Sequence, residues 1–385
     1  MCGRSHARPA PEQLVETADI VVVGGGIAGL AVAHQLASAG VRRVVLLETE
    51  PSLASHASGR NAAIFLPIGH GPTSTWLAAR QQILLDALFD GEASWLRRTG
   101  AVVVSSDAAA LDSVAADARA QGHRAEMLSA AELRRHVPVL DGGDAPGGAL
   151  LPESGVLDTH ALLSALTRGA RDCGVAVRTG TGVAGFLSHR DRVEGVVLEG
   201  GARLASGQVV LAAGAWARAL GELCGASLPL VSYRRHLAWL AGTGGGTGGG
   251  PVVWRLEDEV YFRPESAGVL ASPCDQEPWP AGVPPVEPRS VEALGRKLAR
   301  TAPVLATLPL RRAWACLRTF ASDRAPVAGR DPGIEGLSWL AGLGGQGMTV
   351  GVAAAEVTVA SVLGRPHGHA DALSPARFGA SRPGR

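Results

Sequence analysis

Lysine is almost missing from this chain of 385 residues: Lys297 is the only one, and arginine carries nearly all the basic charge. Neither sign of charge is in excess. The formal net charge is +1, so nothing in the balance calls for nucleic acid or an anionic membrane as partner. Cysteine is sparse, with Cys2, Cys173, Cys224, Cys274 and Cys316 far apart and no CxxC pair or His–Cys cluster. That spacing argues against a zinc or other metal site and against a disulfide framework, and it fits a reducing compartment. Residues 1–19 lack the apolar core of a secretory signal. The best apolar run, Ile20–Ala33, is too short and too glycine-rich to span a bilayer. A cytoplasmic protein without a membrane span is therefore expected, and no internal repeat is evident. What is present is 46% hydrophobic and 18% charged residues, which supports a sizeable core and excludes global disorder. The length accommodates two domains.

The first strong pattern lies between Ala18 and Glu48. Asp19–Val23 is a β-branched apolar run of the kind that forms a buried parallel strand. Gly24-Gly25-Gly26-Ile27-Ala28-Gly29 follows, a GxGxxG, and then a helix-like segment that ends at Gly40. A second strand, Arg43–Leu47, runs into Glu48. Gly24 permits the tight turn, Gly26 lets a pyrophosphate approach the helix N-terminus, and Gly29 lets helix and strand pack closely. Glu48, 19 residues after Gly29, can accept from an adenosine ribose. An acid at that place disfavours a 2′-phosphate and hence NADP. Strand, glycine loop, helix, second strand and acidic terminus at this spacing point to a Rossmann-type dinucleotide fold.

Four further blocks decide which dinucleotide. His56-Ala57-Ser58-Gly59-Arg60-Asn61-Ala62-Ala63 follows the second strand. Thr179–Val183 reads as the end of a strand, and Val209–Trp216 (VVLAAGAW) as a strand and turn. Cys316-Leu317-Arg318-Thr319 leads through Asp323, Pro326 and Gly329 to Leu340–Thr349 (LAGLGGQGMT), a glycine-rich loop before an apolar helix over Val350–Leu363. In this order the chain, from residue 18 to about 363, resembles the FAD-dependent D-amino-acid oxidase family, which includes glycine oxidase, sarcosine oxidase and D-arginine dehydrogenase. The paired Arg234-Arg235, the VYFRPE and GVLASP strands and the WACLRTF strand are most similar to the D-arginine dehydrogenase branch.

The resemblance implies FAD, held without a covalent bond. Its contacts would be Gly24, Gly26, Ile27, Ala28, Gly29 and Glu48 from the fingerprint, with Ser58, Gly59, Arg60, Asn61 and Ala62 from the second block. Val183 would meet adenine, and Ala213, Gly214 and Trp216 would lie beside the cofactor. Gly342, Gly344, Gly345, Gln346, Gly347, Met348 and Thr349 would close over the flavin. Cys316 aligns with the cysteine that the sarcosine-oxidase branch joins to FAD, but it reads here as a small buried strand residue. The implied fold class is α/β, α+β overall: a Rossmann-type FAD-binding domain built from residues 15–70, 148–225 and 325–365, with a discontinuous antiparallel-sheet substrate domain built from 71–147 and 226–324. Residues 1–14 and 366–385 are expected to be flexible tails. Local patterns agree: Thr73–Phe89 and Asp158–Gly169 read helical, and Leu228–Leu240, Pro251–Leu256, Glu259–Arg263 and Gly268–Ser272 read as antiparallel strands. The run Gly242–Gly250 reads as a hairpin connection rather than a flap.

Oxidising an amino acid on a flavin asks the protein mainly to orient the substrate. Arg318 stands where the family binds the substrate carboxylate, and Tyr261, one of two tyrosines, matches the tyrosine that donates to it. Arg235 matches a substrate-side arginine of the dehydrogenase branch, and Gly345 a backbone carbonyl that accepts from the amine. Outside this context an arginine on a strand ordinarily makes an ion pair, and a tyrosine is ordinarily a core residue with its hydroxyl satisfied. Departures matter too. Ile64 and Gly69 replace a histidine and a tyrosine of the D-arginine dehydrogenase site, and the acid that would receive a cationic side chain falls near Gly100 or Ala101. A less cationic or bulkier amine is expected; His70, close by, could substitute for the missing histidine, but a lone histidine in a loop is ordinarily just solvated. Thr349 occupies the place of an oxygen-activating lysine, and Lys297 lies in a helix away from the motif, so an acceptor other than O₂, such as a quinone, is expected. The expected activity is oxidation of the Cα–N bond of an amino acid or N-substituted amino acid by hydride transfer to flavin N5, giving an imine and then an oxo acid. The alternatives are 2-hydroxy-acid oxidation, a tailoring step on a biosynthetic substrate, or an FAD-bearing subunit of a multi-subunit dehydrogenase. The oligomeric state is left open.

Overall fold

A computed structural model describes residues 16–69, 71–90, 95–242, 250–265 and 267–379. The first sheet grows from strand Glu16–Val23, which pairs in parallel with Val44–Leu47 on one side and Arg203–Leu211 on the other. Ala176–Arg178 and Leu337–Ala341 extend it in parallel, and antiparallel strands complete eight. The unbroken apolar run has a simple cause: neither face meets water. Ile20, Val22, Val44 and Leu46 pack under helices Ile27–Ser38, Pro72–Leu88, Thr159–Asp172 and Gly347–Val362. Val21, Val23, Val45 and Leu47 pack into a second cluster on the reverse.

The second sheet has nine strands. Its longest pairing joins Leu230–Ala241 to Leu310–Ala321, setting Arg235 opposite Cys316 and Tyr233 opposite Arg318. Beyond it run Gly268–Ser272, Val260–Glu265, Val252–Arg255, Ala101–Val104, Gly147–Leu151 and Glu126–Ser129. A small third sheet joins Ile64–Phe65, Gly155–Leu157 and Leu96–Arg97. Across the first sheet's helices, Arg80 forms a bidentate pair with Glu356, and Gln81 donates to the Met348 carbonyl and accepts from the Val352 N–H.

Three expectations change. The second sheet is mixed, because Val252–Arg255 pairs in parallel with Ala101–Val104, a strand buried on both faces. Thr179–Val183 does not end a strand. The strand stops at Arg178, Gly180 takes a φ of 64°, the Gly180 and Thr181 N–H groups donate to the Glu50 and Glu48 carbonyls, and Val183 opens the next strand. The chain after Pro366 is not loose: Ala370–Leu373 is helical, His369 stacks on Trp76 at 3.7 Å, and Arg377 pairs with Asp323 at 2.7 Å. Those anchors lie on other elements, which is why a polar segment looked unattached. The expected tails over 1–14 and 380–385, residues 243–249 of the glycine-rich run and His70 lie outside the described residues. Among the described residues no helix is long and apolar enough to cross a membrane.

The fingerprint turn explains its own glycines. Gly24 has φ 112°, and a Cβ on Gly29 would lie 1.8 Å from the Gly24 carbonyl oxygen. Strand end and helix start therefore touch backbone to backbone. Gly29→Ala is expected to lose about 2 kcal/mol or more of stability in a denaturant titration, the scale of overpacking a filled core. A midpoint equal to that of the unsubstituted protein contradicts this contact.

Candidate functional site

A cavity of about 530 Å³ lies between the two large sheets. On the first sheet's side, helix Ile27–Ser38 begins at Gly26 with no side-chain cap, leaving the helix N-terminus turned to the cavity. Ser58 Oγ accepts from the Ile27 N–H at 2.9 Å and steadies the loop. Glu48 is held by two backbone donors, Gly25 N–H at 2.7 Å and Glu50 N–H at 2.8 Å, one to each carboxylate oxygen. Each oxygen keeps a further lone pair with which it could accept from a ligand hydroxyl. Glu50 pairs with His56 at 2.9 Å, and the His56 ring lies 4.6 Å from that of Trp216.

A second uncapped helix start reaches the same cavity. The turn Gly344–Gln346 leads into Gly347–Val362, where Gln346 makes no capping bond. Gln346 Nε2 donates to the Ile68 carbonyl at 3.3 Å and Thr349 Oγ1 to the Ile64 carbonyl at 3.2 Å, locking this loop to the small third sheet and the chain after it. Two helix N-termini whose cap positions make no side-chain capping bond, an anchored carboxylate at the end of the neighbouring strand, and glycines where the backbone must be approached suit an FAD: an anionic pyrophosphate at one helix and the pyrimidine end of the isoalloxazine at the other.

The second sheet closes the far side. Arg318 is buried, its Nη1 donating to the Leu317 carbonyl at 3.1 Å and its Nη2 to the Arg60 carbonyl at 3.3 Å. A Cβ on Gly345 would lie 3.3 Å from Arg235 Nη1, so glycine there admits the guanidinium. Arg235 Nε is buried without a hydrogen-bond partner. Its neighbour Arg234 pairs with Glu277 and Glu287, but among the described residues neither Arg235 nor Arg318 has a carboxylate within salt-bridge distance. Tyr261 stands beside both. Burial, and then Cys274, push its hydroxyl above the ordinary tyrosine range, against the opposing pull of Arg318, Ser272 and Arg235. The hydroxyl stays a neutral donor. Burial likewise raises the Cys274 thiol to about 11. Cys316 Sγ donates to the Arg60 carbonyl at 3.3 Å. On the same wall His236 Nε2 accepts from the Glu287 N–H at 2.8 Å, so Nδ1 carries the proton given to Asp275 at 2.6 Å. Burial opposes ionisation of Asp275, but the His236 bonds outweigh it and hold the carboxyl below its usual value.

Nearly every residue singled out from the sequence lines this cavity, including Arg318, Tyr261, Arg235, Gly345, Val183 and Trp216. Gly29 and Gly59 do not. Each is packed against a carbonyl, of Gly24 and of Ala54, and shapes the cradle from behind. Asn61 lines the cavity, but its amide donates to the Ser58 carbonyl and accepts from the Ala63 N–H, both at 2.6 Å, fixing Ala63 at φ 55°. Ile64 lines the wall, whereas Gly69 and Gly100 do not. Lys297 is not remote: its ammonium donates to the carbonyls of Pro273 and Glu259, at 2.6 and 3.3 Å, directly behind the cavity. Sequence reading missed Glu50, His56, Trp254, Ser272 and Cys274. Strand alternation alone gives Trp254 a face; the register of the pairing is what sets it opposite Tyr261.

A parallel dinucleotide sheet with a second sheet laid across its cofactor cavity defines a class, the two-domain dinucleotide-dependent oxidoreductases. The chain belongs to the DAO family, described as FAD dependent oxidoreductase, whose pattern matches residues 19–361. It is 26% identical over 98% of its length to the mitochondrial pyruvate dehydrogenase phosphatase regulatory subunit of Mus musculus, covering 44% of that protein. It is 27% identical over 74% of its length to the mitochondrial dimethylglycine dehydrogenase of Homo sapiens, covering 35% of it. The chain thus spans less than half the length of these relatives. L-proline dehydrogenase from P. horikoshii shares the fold, with a TM-score of 0.84 at 22% identity, over 95% of this chain and 98% of that one.

The raised Tyr261 hydroxyl makes a pH prediction. A group protonated more tightly when folded contributes stability that is present below its unfolded pKa, about 10 for tyrosine, and is lost as pH rises above it. In Tyr233→Phe, Tyr261 is the chain's single tyrosine. Its tyrosinate absorbance is expected only above the ordinary range, together with loss of structure. Ionisation near pH 10 in folded protein contradicts the buried setting.

Proposed function

We propose that this chain is an FAD-dependent enzyme that oxidises the Cα–N bond of an amino acid or N-substituted amino acid, giving an imine that hydrolyses to an oxo acid. One observation carries the reading: two guanidinium groups, Arg235 and Arg318, face a cavity beside a neutral tyrosine hydroxyl, and among the described residues neither has a carboxylate within salt-bridge distance. Charges withdrawn from water need a counter-ion, and the planar fork of arginine suits a carboxylate. The substrate supplies it. FAD, when bound, accepts the hydride at its N5.

The protein's part is orientation. Glu48 would hold the ribose hydroxyls of a bound FAD, the helix N-terminus at Gly26 its pyrophosphate, and the loop Gly344–Thr349 its pyrimidine end. Arg318 and Tyr261 fix the carboxylate, and the Gly345 carbonyl accepts from the amine. The Cys316 thiol is engaged with the Arg60 carbonyl, which supports FAD held without a covalent bond. The Thr349 hydroxyl holds Ile64 and the single lysine is tied to two carbonyls, which supports an electron acceptor other than O₂. A second reading, an FAD-bearing partner subunit without its own substrate, is favoured by the name of the mouse relative. A non-catalytic subunit, however, has no need of the Arg235–Arg318–Tyr261 grouping.

Anaerobic mixing with D- and L-amino acids, N-methyl amino acids and 2-hydroxy acids, followed at the flavin band near about 450 nm, tests the reading. Bleaching by an amine with release of ammonia or a primary amine is expected. Bleaching by hydroxy acids alone, or by nothing, overturns it. Arg318→Ala is expected to keep FAD and lower kcat/KM about 100-fold or more, the scale of a lost charge-assisted pair. Acid precipitation is expected to leave all the yellow colour in the supernatant; colour retained in the pellet refutes non-covalent binding.

A further inference from the structure

We propose that the substrate carries a bulky apolar group, and that Trp254, with Val252, Ile64 and Leu66, forms the wall that receives it. This rests on the amine-oxidation reading only in taking the carboxylate as the substrate's fixed end. Trp254 pairs directly with Tyr261 across antiparallel strands, so the two side chains leave the sheet as neighbours on the same, cavity-lining face. Val252 is two residues back on the same face. Ile64 and Leu66, also two apart, line the cavity from the chain that Thr349 ties to the flavin-side helix. All four residues line the cavity, and Val252 and Leu66 are buried.

The charges at this end point the same way. Arg235 and Arg318 are positive and belong to the carboxylate. Gly100 and Ala101, where an acid for a cationic side chain was sought, lie outside the lining and back Val252 through strand pairing. Among the described residues, the acid that lines the cavity from the turn between the Trp254 and Tyr261 strands is Glu259, which is exposed to solvent; Glu48, Glu50 and Glu199 line the nucleotide side. An exposed ion pair is worth at most about fivefold in affinity. Each buried methylene is worth about fourfold, and a leucyl or phenyl group about 30-fold or more. The apolar wall therefore outweighs the carboxylate in choosing the substrate.

The test measures binding of unreactive carboxylates to the FAD-loaded full chain by calorimetry: acetate, butyrate, hexanoate, phenylacetate and 6-aminohexanoate. Affinity is expected to rise about fourfold per methylene, to reach about 30-fold or more for phenylacetate over acetate, and to be no higher for 6-aminohexanoate than for hexanoate. Trp254→Ala is expected to flatten the series more than it weakens acetate, and Trp254→Phe to restore the slope. A flat series, or 6-aminohexanoate as the tightest ligand, overturns the proposal. A steep series in a protein that oxidises no amine leaves the wall standing and overturns the amine-oxidation reading instead. If Trp254→Ala does not fold, the unsubstituted protein's series and Trp254→Phe still decide.

Discussion

The register between strands Leu230–Ala241 and Leu310–Ala321 is the constraint on which the site depends. Side chains on a strand alternate between faces, so a slip of one residue would exchange every one of them. In the observed register Arg235, Cys316 and Arg318 look into the cavity. Arg234 looks the other way, where its guanidinium lies 4.1 Å over the Trp279 ring and pairs with Glu277 and Glu287. Two adjacent arginines thus have opposite fates. One is neutralised by its own protein, and the other has no carboxylate partner among the described residues. The length of the pairing, which carries the strands across the whole substrate half, makes that assignment firm.

The nucleotide side works differently, with backbone rather than side chains. The Gly24–Gly29 contact brings the strand end against the helix start, and the Gly26 cap position offers no side chain, so only Ser58, from another loop, takes the first N–H. The loop before Gly347–Val362 repeats the device from the other end of the chain. Side chains such as Ser58, Asn61, Gln346 and Thr349 hold these loops in place through hydrogen bonds to the backbone. Donors fixed in this way need little rearrangement when an anion arrives.

What could be read from the sequence follows from the same division. The dinucleotide half was legible because backbone contact forces glycine at Gly24 and Gly29, and double burial forces an unbroken apolar strand at Asp19–Val23. Arg318 and Tyr261 were legible through their strand motifs. The supporting roles were not. Asn61 looks like a ligand contact until its amide is seen holding Ala63. Lys297 looks remote because its partners are the carbonyls of Pro273 and Glu259, on segments distant in the chain. Trp254 needed the hairpin register before it could be set beside Tyr261. The same limit hid the docking of the chain after Pro366, whose contacts are a ring stack on Trp76 and an ion pair with Asp323. Contacts between elements far apart in sequence leave no local pattern to read.

The central claim is that Arg235 and Arg318 await a substrate carboxylate. The most direct measurement titrates the FAD-loaded protein with an unreactive carboxylic acid and with its own primary amide, following the flavin absorption band. The two ligands have the same shape and differ in charge. The account predicts that the acid perturbs the band and saturates, while the amide binds about 100-fold more weakly or not at all. Equal binding of acid and amide would contradict it.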